Sequence, residues 1–264
     1  MSKRCCFRNR LRRVLRRTAA GLAAAFFCLC ISMRLTPRGA SCEEGDYMMY
    51  YIVNADGMKG LGHSIVLLVD GEGCGTVLSF NGMQRTLGES LMGKSGVGKL
   101  SMGILTKEET DRFLQTGDLE LEEDQLADNY DAALYRPVTE EEYAAVLEQT
   151  APYIAVQEQF AAFYEKQAME EDPDKKAEYL QVLEQLGQDE SLPLYQIYTN
   201  NCDDAARLLI SAADPSMEEY IRHSRRMTPN GNLKAFGRQA GNWGVMFLGR
   251  QTLWERALMF FVIF

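Results

Sequence analysis

Two segments far apart in the chain hold residues that could together form a thiol nucleophile. Cys202 lies where a helix is predicted to begin, near Asn201, and His63 follows Gly62 at the start of an apolar strand. A thiol in the first turn of a helix feels the positive end of the helix dipole, which lowers its pKa, and a contacting imidazole lowers it further. These are the two parts of a Cys–His nucleophile. The chain's other histidine, His223, sits in a short basic run, so His63 is the predicted partner of Cys202.

Periodicity and turn signals predict the strands that carry this chemistry. Runs of β-forming residues alternate with glycine-containing turns, and the second and third runs are predicted to pair as an antiparallel hairpin around a Gly-rich turn. The segment 192–198 is a further strand candidate. The other predicted strands are 47–53, 63–69, 76–80 and 132–136.

Two capping boxes predict where helices begin. Thr106 and Glu109 have the S/T-x-x-E spacing, and the helix after them is predicted to stop at Gly117. Thr139 and Glu142 have the same spacing and predict a second helix start.

The later part of the chain is predicted to be largely helical. The acidic stretch 140–187 has a helical period interrupted by two prolines, and a last helix is predicted from near Asn201. Strands first, then inserted helices, then a helix after a strand indicate an α+β fold. The apolar side of the last helix is predicted to be Ala205, Ala206, Leu208, Leu209 and Ala212.

Residues 88–95 match the phosphate-loop pattern GxxxxGK[ST]. That motif needs a helix directly after it, because the helix amino terminus supplies N–H donors to the phosphates. The next residues, Gly96-Val97-Gly98, are poor helix formers. We therefore predict a mobile Gly-rich loop here and no nucleotide site.

The order of these motifs resembles a known superfamily. Gly62-His63 opening a strand, followed much later by Asn201-Cys202 on a helix, resembles the circularly permuted branch of the NlpC/P60 papain-like superfamily, which includes LRAT-like acyltransferases and DUF4105-type domains. The segment 227–233 is similar to the one that follows the Cys helix in such proteins. The resemblance covers roughly 46–236 and implies a permuted papain-like antiparallel sheet packed on the Cys-bearing helix, with 140–190 as an insertion.

The resemblance also implies a third polar residue that orients the imidazole from the strand after the His strand. A regular hairpin puts Asn81 opposite His63, and a two-residue shift of register puts Ser79 there instead. Asn81 is preferred, because its amide oxygen can accept from the ring N–H, although it also fits a turn with Gly82. Tyr198 is a candidate to orient or donate near the thiolate, or else a core aromatic. Asn201 is a supporting candidate.

Charge divides the chain into a basic leader and an acidic body. Residues 1–42 hold ten Lys or Arg and no Asp or Glu, which leaves 18 basic against 37 acidic residues in 43–264. An acidic body repels phosphates, so no nucleic-acid partner is expected. The leader has the order of a signal peptide or signal anchor, basic residues and then an uncharged stretch over 18–33, which predicts a membrane-anchored or secreted domain outside the cytoplasm.

Cysteine spacing predicts neither a disulfide framework nor a metal site. Beyond the leader's apolar stretch only Cys42, Cys74 and Cys202 remain, without a CxxC pair, so at least one thiol should be free. No cofactor is expected.

The leading hypothesis is an extracytoplasmic cysteine hydrolase or acyltransferase. Cys202 would attack a carbonyl, His63 would act as base and then acid, Asn81 would orient His63, and the Cys202 N–H would hold the oxyanion. The resemblance implies cell-wall peptides or lipid acyl groups as substrates, and these alternatives stay open. The rival is a non-catalytic, membrane-anchored binding module on the same scaffold, with the acidic helices of 140–190 as its partner surface.

Overall fold

The computed structural model describes residues 46–55, 62–83, 92–93, 96–120, 128–155, 157, 172–175, 177, 181, 194–215, 229, 231–233 and 243–249. The strands are β1 Tyr47–Asn54, β2 His63–Val69, β3 Gly75–Met83, β4 Gly96–Leu105, β5 Asp118–Leu119, β6 Asp128–Asn129, β7 Ala132–Val138, β8 Leu194–Tyr195 and β9 Gly244–Phe247. Three helices are described from end to end: α1 Lys107–Thr116, α2 Glu140–Glu148 and α3 Cys202–Ala213. Residues 151–155 are also helical.

The fold is α+β, as predicted, and is built on one large antiparallel sheet. Its seven strands run in the order β8-β4-β3-β2-β1-β7-β9, and β5 and β6 form a separate two-stranded sheet. The predicted hairpin of β2 and β3 is confirmed, with Val66 opposite Leu78 and Val69 opposite Gly75. β4, β5, β6 and β9 were not predicted. Because β4 begins at Gly96, a strand stands where a phosphate-binding loop requires a helix.

Helices cover both faces of the sheet, and strand alternation assigns each residue to one face. We call the first the α3 face, because α3 packs against β2 and β3 there. We call the opposite one the α1 face, because Phe113 of α1 belongs to its core. The α3 face includes Tyr51, Val53, Val66, Leu68, Leu78 and Phe80. The α1 face includes Tyr50, Ile52, Ile65, Leu67 and Val77.

Local signals set the helix ends as predicted. Both capping boxes form, with Thr106 and Thr139 accepting hydrogen bonds from the N–H groups of Glu109 and Glu142. α1 ends at Gly117, whose φ is 76° and where an added Cβ would lie 2.2 Å from the Tyr130 carbonyl oxygen. Glycine is therefore required there on two counts.

One helix face differs from the prediction. Leu208 was assigned to the apolar side of α3, but its side chain is 42% exposed. The buried side of α3 instead combines Cys202 and Arg207 with Ala205, Ala206, Leu209, Ile210 and Ala213.

The predicted leader, residues 1–42, lies outside the described residues, as do most of the 140–190 insertion and the basic run around His223. In the described part of the chain, no helix is long and apolar enough to cross a membrane.

Candidate functional site

Cys202 is the first residue of α3, as the sequence predicted, and Asn201 caps the helix. The Asn201 side-chain oxygen accepts from the N–H groups of Asp203 at 2.9 Å and Asp204 at 3.1 Å. Its amide nitrogen donates to the Ile197 carbonyl oxygen at 2.8 Å. Asn201 therefore fixes both the start of α3 and the approach of the preceding chain.

The Cys202 thiol is enclosed, with 3% of the residue exposed. The backbone N–H and hydroxyl of Ser64 lie against it, and the Tyr195 hydroxyl contacts it. Burial raises the pKa of the Cys202 thiol to about 12, the charge of Asp203 raises it further, and the Ser64 donors offset only part of the rise. Cys202 is therefore a protonated thiol at neutral pH in this structure.

His63 lies in a neutral hydrogen-bonded cluster of its own. Its Nε2 is 3.1 Å from Ser79 Oγ, and Asn81 Nδ2 donates to the same oxygen at 3.0 Å. Since Ser79 Oγ accepts from Asn81, its own proton is free to point at His63 Nε2. Burial lowers the pKa of His63 from 6.5 to about 4, so the ring is neutral at pH 7.

The structure does not bring His63 and Cys202 together, contrary to the sequence prediction. His63 faces the α1 side, where its ring centroid is 6.4 Å from that of Tyr130. Ser64, the next residue of β2, faces α3 and takes the place beside the thiol. The physical reason is the two-residue period of a strand, which sends neighbouring side chains to opposite faces.

Of the two candidates for the third residue, the structure brings Ser79 to His63. The β2–β3 ladder ends at Val66 and Leu78, before it reaches His63. Beyond that point Ser79 contacts the imidazole, and Asn81, the preferred candidate, contacts Ser79 rather than the ring.

The tyrosine beside the thiol is Tyr195 rather than the predicted Tyr198. Tyr195 is buried in β8, and burial raises the pKa of its hydroxyl. Tyr198 is partly exposed and lies beside Gly93. Both tyrosines lie in the predicted strand 192–198, but the sequence does not show which of them contacts α3.

A buried charged network, missed by the sequence reasoning, underlies Cys202. Arg207 Nε is 3.0 Å from Asp203 Oδ2, and both residues are almost fully buried. Tyr51 and Asn232 donate hydrogen bonds to the two Asp203 carboxylate oxygens. Burial raises the pKa of Asp203, and Arg207 offsets part of that rise. The i,i+4 spacing of Asp203 and Arg207 was the available sequence signal.

The comparisons with known proteins assign nothing to this site. No family model, no curated protein and no solved structure matches the chain. Across the described ranges, no group of three or more His, Cys, Asp or Glu is placed to hold a metal ion.

Proposed function

We propose that this chain is a non-catalytic binding module, built on a permuted papain-like scaffold. The observation that carries the proposal is the separation of His63 and Cys202 onto opposite faces of the sheet. Each side chain has its own buried partners. Burial lowers the pKa of His63 and raises the pKa of Cys202, so both side chains are neutral at pH 7. A Cys–His nucleophile needs the opposite arrangement, with the imidazole against the thiol and the ion pair favoured.

The order of charges in the leader supports a place outside the cytoplasm. Basic residues precede the uncharged stretch over 18–33, so we propose that 43–264 is exported and either anchored or released. Partners would then meet the module at the cell surface. A protease added to cells stripped of any outer envelope should digest 43–264 of an anchored chain, and protection until the cytoplasmic membrane is lysed would contradict export.

Thiol alkylation of the full-length chain tests the proposal. Each thiol is followed by peptide mass spectrometry from about pH 5 to about pH 9, where an unperturbed thiol follows a pKa near 8.5. Cys202 should label slowly at every pH, and urea should release it. Cys74, a half-buried free thiol, is the internal reference.

His63→Ala and His223→Ala form the matched pair of variants. The proposal expects neither substitution to slow Cys202 labelling, and a loosened fold would only accelerate it. Rapid labelling of Cys202 near pH 6 that is lost in His63→Ala but kept in His223→Ala would overturn the proposal.

The second candidate is acyl transfer through Cys202. It is favoured by one observation, the thiol's position at the amino terminus of α3 beside the Ser64 N–H, which could hold an oxyanion. It requires a base on the α3 face. Incubation with peptidoglycan fragments, and separately with phospholipid and an acceptor, should produce mass changes that Cys202→Ala abolishes if this candidate is correct. The binding module predicts no change in either mixture.

A further inference from the structure

We propose that the outer edge of β4 binds an extended peptide of a partner protein as an additional strand. This inference rests on the proposed binding function and names the class of partner. β4 pairs with β3 from Val97 to Leu105, and β8 pairs with its other side at Gly96 and Val97. Further along that side, no described segment pairs with Met102 or Ile104, and these two residues form a sheet edge.

The alternation of hydrogen bonds along β4 shows which of its backbone N–H and C=O groups point outward. The Gln157 side chain donates to the Leu100 carbonyl oxygen at 3.1 Å and accepts from the Leu100 N–H at 2.9 Å. The backbone N–H and C=O of Leu100 therefore point away from β3. In an antiparallel ladder every second residue has the same orientation. Met102 and Ile104 therefore also direct N–H and C=O outward, and within the described residues these groups have no protein partner.

The side chains of the edge are apolar and accessible. Met102 is 41% exposed and Ile104 is 68% exposed, on the same side of the strand. Exposed edge strands of sheets are commonly protected by charged residues, by proline or by a β-bulge. The run from Leu100 to Leu105 contains no charged residue and no proline, and it pairs with β3 in unbroken register. Open backbone groups and exposed apolar side chains at alternate positions are what strand addition uses for affinity and specificity.

The Gln157 amide already pairs with Leu100 as a peptide group would, so the edge accommodates an amide. Charge near the edge favours a foreign peptide over a second copy of this chain. Self-pairing about Gly103 would bring Lys99 of each copy near Lys107 of the other, which is repulsive. Lys107, which is exposed just beyond the end of β4, suits a peptide with apolar residues at alternate positions and an acidic residue at the end that meets it.

The test selects binders from a phage-displayed library of random nine-residue peptides on the full-length chain. Selected peptides should show alternating apolar residues, and Ile104→Pro should weaken their binding by about tenfold or more, because it removes one outward N–H that β3 does not use. Leu208→Ala, which trims an exposed leucine on α3, is the matched control and should leave affinity unchanged. Gln157→Ala should strengthen binding, because it frees Leu100 to extend the edge.

A second variant keeps the proposal falsifiable if proline disturbs folding. Ile104→Lys retains the N–H but adds charge, and it should also weaken binding. Recovery of no peptides, or peptides that bind both Ile104 variants as well as the unaltered chain, would overturn the inference. Dimerisation of the unaltered chain that is lost in Ile104→Pro would overturn the inference and show that a second copy of the chain binds the edge. None of these outcomes depends on Cys202, whose alkylation decides the proposed function separately.

Discussion

The two faces of the central sheet bury polar residues in different ways. On the α3 face, Cys202 sits above an ionic network in which Arg207 pairs with Asp203. On the α1 face, His63 joins Ser79 and Asn81 through neutral hydrogen bonds. Charges need paired charges when they are buried, whereas a neutral imidazole needs only a hydroxyl. The faces should therefore respond differently to the loss of one partner and to acid.

Removal of the arginine on the α3 face should have the largest effect. Arg207→Met leaves the buried Asp203 carboxylate without its cation, which should cost about 3–5 kcal/mol of the free energy of unfolding. Urea unfolding followed by circular dichroism measures the loss.

Arg136→Met is the matched control for that substitution. Arg136 pairs with Glu142 and Asp214 at 2.8 Å each, but more of its side chain is exposed. Its loss should cost about 1 kcal/mol, since water can replace much of the interaction. Equal losses for the two variants would remove the proposed distinction between the buried network and the partly exposed ion pairs of Arg136.

Acidification should have the second largest effect on stability, and it should act through His63 on the α1 face. The pKa of His63 is lowered from 6.5 to about 4 in the folded chain, so the unfolded chain binds more protons between these values. Stability should therefore fall as the pH drops from 6.5 toward 4, by about 3 kcal/mol.

His63→Gln isolates this contribution, because glutamine does not titrate. The difference in unfolding free energy between the unaltered chain and this variant should shrink as the pH falls from 7 to about 4. A difference that stays constant over this range would mean that the His63 environment is not as closed as described.

The smallest effects come from two serines that are both fully buried, one on each face. Ser79→Ala leaves His63 Nε2 and Asn81 Nδ2 without their shared partner, and should cost about 1–2 kcal/mol. The Ser64 hydroxyl, although near the thiol, makes no hydrogen bond of ordinary geometry. Ser64→Ala should therefore change stability by about 0.5 kcal/mol or less. Thermal unfolding at pH 7 compares them, and a larger loss for Ser64→Ala would reverse the comparison.

Predictable parts of the fold have local causes. The boxes at Thr106 and Thr139 and the glycine at 117 act within a few residues, so their helix ends were correct. β2 was predicted to the residue because its run is wholly apolar from residue 65 to residue 69. β4 was missed because it contains glycines at 96, 98 and 103, and glycine has a low strand propensity. Pairing with β3 stabilises this strand.

The candidate site was predictable only in part. Cys202 at a helix start follows from Asn201 and the apolar residues after it, and these are local signals. Tyr195 and Arg207 were missed, because both depend on distant segments. Tyr195 depends on how β8 meets β4, and Arg207 is buried with Asp203, whose carboxylate accepts hydrogen bonds from Tyr51 and Asn232.

Local signals along the chain are enough to establish that His63 opens a strand, that Cys202 opens a helix, and that the body is an acidic α+β domain. Which face of the sheet α3 covers is settled only when the chain folds. That choice depends on the summed burial of side chains along several strands rather than on any one motif. It placed Ser64 against the thiol and turned His63 toward Ser79 on the other side.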